Sequence, residues 1–350
     1  MNLTKIIKIL LLVLIVFFFL YVGSSFLIPF IFGIFFALLM APLSNFLERA
    51  KLRRTIASLI STLVVFVIAG SFLFLFIYQM NEFVSNINMI REELQSFLQS
   101  IQKQIESLTS LTTEDQNKIW EQRSEQWIKN TETILTDLFG NILHTLVNFL
   151  LVLVYMFLLL LYREKISDFI MMYTRKEKKE RIRKILYKIR KVVNHYLLGR
   201  VKVMFILGVM YYITFLIFDL PYAILLTIFG ALITIIPYIG PLVSGTLPIL
   251  FSMIFFDDIQ KILLFSAIIV IEQLIESYVL EPLILGKEVQ LNPLVVIIAV
   301  IVGGMFWGLA GMILFVPLFA MFKIISNNSP GLEPVGFLLG SHQKSDEKSQ

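Results

Sequence analysis

Long apolar runs separated by short polar stretches dominate the pattern of this chain. A helix needs about 20 apolar residues to cross the hydrocarbon core of a bilayer. Uninterrupted runs predict six transmembrane helices, at residues 6–22, 26–47, 56–80, 141–162, 201–218 and 259–281. The first run is longer than the 7–15 residue apolar core of a signal peptide, so we interpret it as an uncleaved helix. Two further apolar regions, 222–256 and 293–325, are interrupted by Pro and Gly.

The two interrupted regions are predicted to be helical hairpins. Pro stops a helix and Gly permits unusual backbone angles. Such irregular backbone at membrane depth is tolerated only where it is buried in protein or faces a water-filled cavity. The residues that we assign to tips and hinges are Pro237, Gly240 and Pro241 in the first region, and Gly303, Gly304, Gly308 and Gly311 in the second.

Arm length favours re-entrant hairpins over full spans. The arms around PYIGP, residues 237–241, have about 15–17 residues, fewer than a full span needs. One straight helix of about 30 residues over 293–325 would be about 45 Å long and would overshoot the core. The alternative in each case is a kinked helix pair that only packs closely. The fold class is therefore an all-α polytopic membrane protein with six full spans and two broken hairpins.

Basic residues at the ends of spans orient the chain, because Lys and Arg are enriched in cytoplasmic loops. Residues 163–200 carry 13 Lys and Arg against 4 Asp and Glu, whereas residues 81–140 carry 5 against 10. Together with Lys5 and Lys8, this predicts a cytoplasmic N-terminus and an outer location for 81–140. Two hairpins then place the C-terminus in the cytoplasm. We expect a multi-pass protein of the bacterial cytoplasmic membrane.

The segments outside the membrane are predicted to be helical. Residues 81–108 repeat apolar positions at three- and four-residue steps, and the TTEDQ sequence at 112–116 has the spacing of a capping box. We expect an outer helical hairpin, which either packs on itself or contacts a partner. The basic stretch 163–200 alternates apolar and basic positions, typical of a helix that lies in the cytoplasmic interface and attracts anionic lipid.

These predictions divide the chain into six parts. They are the N-terminal spans at 1–80, the outer hairpin at 81–140, a span at 141–162, the basic helix at 163–200, a transport region at 201–325 and a polar tail at 326–350.

Composition agrees with a membrane protein and excludes several classes. The chain is 57% hydrophobic and 16% charged, with mean hydropathy +0.83, whereas soluble domains are about 45–50% apolar and about 25% charged. It has no Cys, and its histidines, His144, His195 and His342, are far apart, so we predict no metal site and no cofactor. There is no P-loop, HExxH or GxSxG motif, so we expect no enzyme. The basic residues adjoin spans, so we do not expect nucleic-acid binding.

Acidic residues interrupt the apolar stretch IIVIEQLIESYVLEPLILG at 268–286. Glu272 and Glu276 are four apart and share a helix face, with Gln273 partly on it. An acid at mid-depth costs about 2.5–3.5 kcal/mol, and protonation of at least one would relieve that cost. A carboxyl that titrates can carry a proton or bind a cation. The alternative is a permanently neutral, hydrogen-bonded acid. Glu281, at the end of the stretch, is interpreted as an interfacial anchor or cap.

Four motifs in order carry a resemblance to a known family. They are HYLLGR at 195–200, IIPYIGPLVSGTLPIL at 235–250, EQLIESYVLEPLILGKEVQLNPLVVIIAVIVGG at 272–304 and WGLAGMILFVPLFAMFK at 307–323. The chain resembles the autoinducer-2 (AI-2) exporter family, also called the PerM-like permeases. The resemblance implies an oligomeric inner-membrane transporter that exports AI-2 or, in some members, exchanges sodium or lithium for protons.

The resemblance also implies site residues. Pro237, Gly240 and Pro241 match the family's PYxGP, and Gln273 and Glu276 match its QxxE. The Pro and Gly positions that follow are matched by Pro282, Gly286, Pro293 and Gly311. Glu272 is an additional acid, which could favour cation coupling or simply pair with a neighbour.

Together these observations predict a proton-coupled secondary transporter that exports a small polar solute similar to AI-2. We expect the acids and Gln273 to face a cavity lined by both Gly/Pro tips. Further solute contacts are available from Tyr238, Tyr278 and Asn292. One alternative is a sodium or lithium/proton antiporter, in which a monovalent cation replaces the solute. The other is a non-transporting membrane scaffold. We also expect a homo-oligomer in contact with membrane lipid.

Overall fold

A computed structural model describes residues 3–108, 142–285 and 291–341. Its helices, in chain order, are α1 (Leu3–Val22), α2 (Ser24–Arg49), α3 (Arg54–Ser85), α4 (Ile87–Leu108), α5 (Ile142–Leu161), α6 (Arg163–Met172), α7 (Lys179–Ile217), α8 (Ala223–Ile233), α9 (Ile239–Phe255), α10 (Ile259–Ile275), α11 (Glu281–Leu285), α12 (Pro293–Asn327) and α13 (Glu333–Leu339). A π turn, Glu276–Leu280, joins α10 to α11. The predicted second outer helix, Gly286 and the end of the polar tail lie outside the described residues.

The described helices are those of an integral membrane protein. Five helical segments are long and apolar enough to cross a membrane: Ser24–Arg49, Arg54–Ser85, Lys176–Ile217, Ile259–Leu285 and Pro293–Asn327. A sixth follows if α5 and α6, which meet at a bend of 64°, are taken as one broken span. Large apolar side chains point outward from several of these helices, as a lipid-facing surface requires. The all-helical, polytopic architecture predicted from the sequence is therefore observed.

Helices α2, α3 and α5 form one packed unit. A Cβ atom added at Gly33 would lie 2.7 Å from the Tyr155 Cβ, so glycine allows α2 to approach α5 closely. At the polar end of this unit, Arg163 donates to Glu48 at 2.7 Å, and Arg54 Nη1 donates to Glu164 at 2.8 Å. The Arg54 guanidinium also holds the pKa of the Glu164 carboxyl below its ordinary value.

Helix α7 runs without interruption from the basic segment into the apolar span. Its 39 residues correspond to a length of about 58 Å. The predicted parts 163–200 and 201–325 meet at Arg200, and Ile185, Val193, Val203 and Leu207 are buried at helical spacing on both sides of it. The periodicity continues and no Pro interrupts it, so the basic segment consists of α6 and the first half of α7.

The PYIGP segment separates two short helices, as expected from its Pro and Gly. Helices α8 and α9 have 11 and 17 residues, fewer than the roughly 20 that a full span needs. Gly240 lies directly against the backbone of Ile233 and Thr234, where a Cβ atom would overlap them. Pro237 is buried, and Tyr238 has a φ of +66°. The chain therefore turns sharply between the two arms.

Helix α12 also turns at its glycines. Helical geometry fails at Trp307 and at Gly308, whose φ is +56°. The backbones of Gly303 and Gly311 are in contact, so that a Cβ atom on either would overlap the other. Residues eight apart in a straight helix are about 12 Å apart along the axis. The chain therefore doubles back, and the Trp307 indole donates to the Leu20 carbonyl oxygen of α1 at 2.8 Å.

Candidate functional site

Two acids of the fourth long apolar segment are buried inside the protein. Glu272 is 6% exposed and Glu276 is 0% exposed. Helix α10 begins at a side-chain cap, where Asp258 Oδ1 accepts from the Gln260 N–H at 2.9 Å. The four-residue spacing places both acids on one face, where Glu272 contacts Thr214 of α7. The sequence prediction that they share a protein-facing side is in agreement with this placement.

Glu272 is held by a hydroxyl of α7. Thr214 Oγ1 donates to Glu272 Oε1 at 2.6 Å. Among the described residues, nothing hydrogen-bonds to the second carboxyl oxygen, Oε2, although it is buried. An ionised carboxylate in apolar surroundings is strongly destabilised unless its oxygens are paired. Within the described residues, the free oxygen therefore lacks a partner that would stabilise the ionised form.

Gln273 lies at the centre of a polar cluster between α7, α9 and α10. One end of its amide meets the Tyr211 hydroxyl and the Ser244 Oγ, the latter at 3.0 Å. With the amide oxygen at that end, the nitrogen donates to Glu276 Oε2 and to the Pro241 carbonyl oxygen, each at 3.2 Å. This orientation satisfies both ends of the amide. The cluster thus links an acid directly to the PYIGP segment.

Glu276 opens the π turn and has one unpaired oxygen. In the part of the chain that the structure describes, its buried Oε1 has no hydrogen-bond partner. The π turn closes with the Glu281 N–H donating to the Glu276 carbonyl oxygen, five residues apart. Such wide turns occur frequently at functional sites. Both acids therefore combine one bonded oxygen with one free oxygen.

One turn further on, the third acid forms an ion pair. Arg200 Nη1 donates to Glu281 Oε1 at 2.6 Å, and the Arg200 side chain is 6% exposed. This ion pair joins α11 to α7. Among the described residues, no group of three or more His, Asp or Glu side chains could hold a metal ion.

Several residues predicted to contact solute lie outside this cluster. Tyr238 is 54% exposed and Tyr278 is 75% exposed. Asn292 caps α12, where its Oδ1 accepts from the Leu294 N–H at 3.0 Å. The second tip, around Trp307, packs against α1, and none of the hydrogen bonds described for the acids reaches it. Only the first tip is brought to the acids.

The remaining predicted hinge residues occupy helix ends and crossings. Pro282 lies in α11, Pro293 begins α12, and Gly304 packs against Met312 within the α12 turn. The sequence reasoning missed four partners of these side chains: Thr214 of Glu272, Arg200 of Glu281, and Tyr211 and Ser244 of Gln273. The sequence did carry a weak signal for these partners. Each is a polar residue within or beside an apolar segment, and such a residue needs a protein partner.

Comparison with known proteins agrees with this architecture. The family model described as AI-2E family transporter matches residues 7–331. YrrI of Bacillus subtilis (strain 168) is 26% identical over 309 residues, 85% of each chain. YhhT of Escherichia coli (strain K12) is 23% identical over 318 residues, 91% of this chain and 89% of its own. The AI-2 transport protein TqsA of the same strain is 24% identical over 326 residues, 92% of this chain and 91% of its own. Since the family model covers nearly the whole sequence, this chain belongs to the AI-2E transporter family.

Proposed function

We propose that this protein is a proton-coupled secondary transporter that exports a small polar solute across the bacterial cytoplasmic membrane. The observation that carries the proposal is the pair of buried carboxyls, Glu272 and Glu276, each with one unpaired oxygen. Buried acids in membrane segments are expensive, and they characteristically mark proton or ion pathways. The relative TqsA is named for AI-2 transport, so a hydroxylated solute similar to AI-2 is the first candidate.

The cluster provides the two parts that a coupled transport cycle needs, a proton site and contacts for a solute. Glu276 exchanges a proton through its free Oε1, while Oε2 faces the Gln273 amide. The amide and the hydroxyls of Tyr211 and Ser244 are hydrogen-bonded to one another. They are neutral groups that a hydroxylated solute can replace as partners. Loss of the proton from Glu276 would therefore change the partners available to the solute in the same step.

The membrane arrangement that we propose has six full spans and two re-entrant hairpins. The short lengths of α8 and α9 and the reversal within α12 support this arrangement. Discontinuous helices near the bilayer midplane commonly form the substrate sites of secondary transporters. We also propose a cytoplasmic N-terminus, a cytoplasmic C-terminus and a homo-oligomer, in which the α8–α12 region moves against α2, α3 and α5.

Sodium or lithium/proton antiport is the second candidate. It is favoured by a specific observation: none of the hydrogen bonds described for Glu272 and Glu276 involves Tyr238, Tyr278 or Asn292, which were expected to contact a solute. Carboxylate oxygens alone suffice for a monovalent cation. The free oxygens of Glu272 and Glu276 would then bind the cation and the proton in turn.

Proton flux in liposomes that contain the purified protein tests both candidates. A pH-sensitive dye reports the response to AI-2, sodium and lithium, each added alone. We expect AI-2 to evoke a flux that Glu276→Gln abolishes, because an amide cannot carry the proton. The matched control is Glu177→Gln, which removes an exposed acid from the turn before α7 and should keep the flux.

Each other outcome has a definite meaning. A flux evoked only by sodium or lithium, and lost in Glu276→Gln, would replace solute export with antiport. A folded Glu276→Gln protein that complements a deletion strain fully would contradict proton coupling. If removal of residues 81–140 then abolished complementation, the scaffold function would be favoured.

A further inference from the structure

A basic groove opens where the charged half of α7 meets its apolar half. Its volume is about 320 Å³, and its walls include Pro42 of α2 and Ile284 of α11. Gly199 lies between them, where a Cβ atom would be 2.6 Å from the Leu285 Cδ2. Glycine at this position therefore lets α11 pack directly on α7 at the edge of the groove.

The charged residues that line the groove, within the described part of the chain, are all basic. Arg190, Lys191 and Lys202 line it, and no Asp or Glu is among its lining residues. His195 and Asn194 help to hold the walls, since His195 Nε2 meets the Leu285 carbonyl oxygen at 3.1 Å and Asn194 donates to the Leu38 carbonyl oxygen at 2.9 Å. Arg190 and Lys202 are exposed positions of this lining. A phosphate diester is the anion that suits them.

An apolar stripe continues from this groove along the same face of α7. It consists of exposed side chains at steps of three and four residues from Lys202: Leu198, Phe205, Val209, Tyr212 and Leu216. Residues at these spacings are neighbours on a helix surface. Phe205 is 72% exposed. The face therefore presents positive charge at one end and hydrocarbon along the rest.

We propose that this face binds an anionic glycerophospholipid, with its phosphate in the groove and its acyl chains along the stripe. Lys202 lies at the junction between the groove and the stripe, where a phosphate in the groove would adjoin the first apolar turn. Basic pockets between transmembrane helices on the cytoplasmic side are known to receive such headgroups. A free phosphate would use the groove but not the stripe. The site is separate from the acid cluster and does not depend on the proposed transport function.

A lipid bound at this site would affect the contact between α11 and α7. Both Ile284 and Leu285 of α11 border the groove, and Glu281 of the same short helix pairs with Arg200. A bound headgroup would therefore hold α11 against α7, next to the acid cluster. Lipid composition would then affect the stability of this contact.

Lipid retention by the purified, full-length protein tests the proposal. The delipidated protein in detergent is titrated with phosphatidylglycerol, with phosphatidylcholine or with inorganic phosphate, and occupancy is measured by native mass spectrometry. We expect one phosphatidylglycerol to be retained in preference to phosphatidylcholine. The variant Arg190→Gln/Lys202→Gln removes two groove charges at exposed positions. It should weaken retention by about fivefold for each charge, or about 30-fold together.

The matched control is Arg183→Gln/Lys184→Gln, which removes the same charge from exposed positions of α7 outside the groove. It should retain lipid as the unmodified protein does. Equal retention by the two double variants would overturn the proposal. Binding of inorganic phosphate that displaces the lipid at similar concentration would also overturn it, in favour of a soluble anion. A groove variant that changes only the oligomer mass would reassign the face to contact between copies of the chain.

Discussion

Arg200 and Glu281 form an ion pair across 81 residues of sequence, with 2.6 Å between Nη1 and Oε1. The Arg200 side chain is 6% exposed and the Glu281 side chain is 32% exposed. The guanidinium is therefore largely removed from water and depends on this carboxylate for its compensation. The pair fixes α11 to α7 immediately after the π turn, and so holds the end of the segment that carries Glu276.

Loss of either partner of this pair should destabilise the protein. For Glu281→Gln we expect a decrease of about 3 kcal/mol in the free energy of unfolding, because a buried guanidinium loses its counter-charge. The double variant Arg200→Met/Glu281→Met should recover much of that loss, since no buried charge is left. Unfolding in detergent, followed for Arg200→Met, Glu281→Met and the double variant, measures the coupling. Strictly additive effects would show that the two side chains act independently.

Thr214 should matter to stability through its hydroxyl alone. Thr214→Val keeps the shape and removes the donor at 2.6 Å from Glu272 Oε1. Both oxygens of a buried carboxyl would then lack a partner, at a cost of about 1–3 kcal/mol. The structure offers a matched control in Thr227, whose buried hydroxyl has no partner among the described residues. Thr227→Val should leave the melting temperature unchanged or raise it, and similar losses in both variants would contradict the role of the hydrogen bond.

The turn of α12 should not tolerate a methyl group at its crossing point. In Gly303→Ala the new Cβ would overlap the Gly311 backbone, which cannot move as a side-chain end can. We expect a loss of about 1–3 kcal/mol in the free energy of unfolding, as for other overpacked sites. Gly70→Ala in α3 is the comparison, because a Cβ atom there meets nothing within 4 Å. That variant should be neutral or slightly stabilising, and equal effects at both positions would argue against the observed close approach.

The acids could be found in the sequence because charge inside an apolar run is conspicuous and a spacing of four specifies one helix face. Their partners could not be found in the same way. Thr214 is 58 residues from Glu272, and Ser244 is 29 residues from Gln273. Helical periodicity indicates which face of a helix is buried, but it does not indicate which neighbouring helix that face meets. The polar cluster therefore required the tertiary structure.

Two residues that we predicted to contact solute also have local backbone roles. Asn292 directly precedes Pro293, and Asn followed by Pro is the signature of a helix start, so its side chain caps α12. Tyr238 follows Pro237 at a left-handed position with φ of +66°, and this backbone geometry accompanies an outward-facing side chain. In both cases backbone chemistry determined the role of a polar residue.

The π turn changes which residues of the acid-bearing segment share a face. In a regular helix, residues four apart share a face, and Glu272 and Glu276 follow that rule. Across the π turn, residues five apart share a face instead, because the hydrogen bond spans five residues. Glu281 can thus reach Arg200 while Glu276 stays buried. Deleting one residue of the turn, such as Val279, would restore a regular helix and rotate Glu281 away from Arg200. The turn therefore acts as a one-residue insertion that keeps all three acids on the same face of the segment.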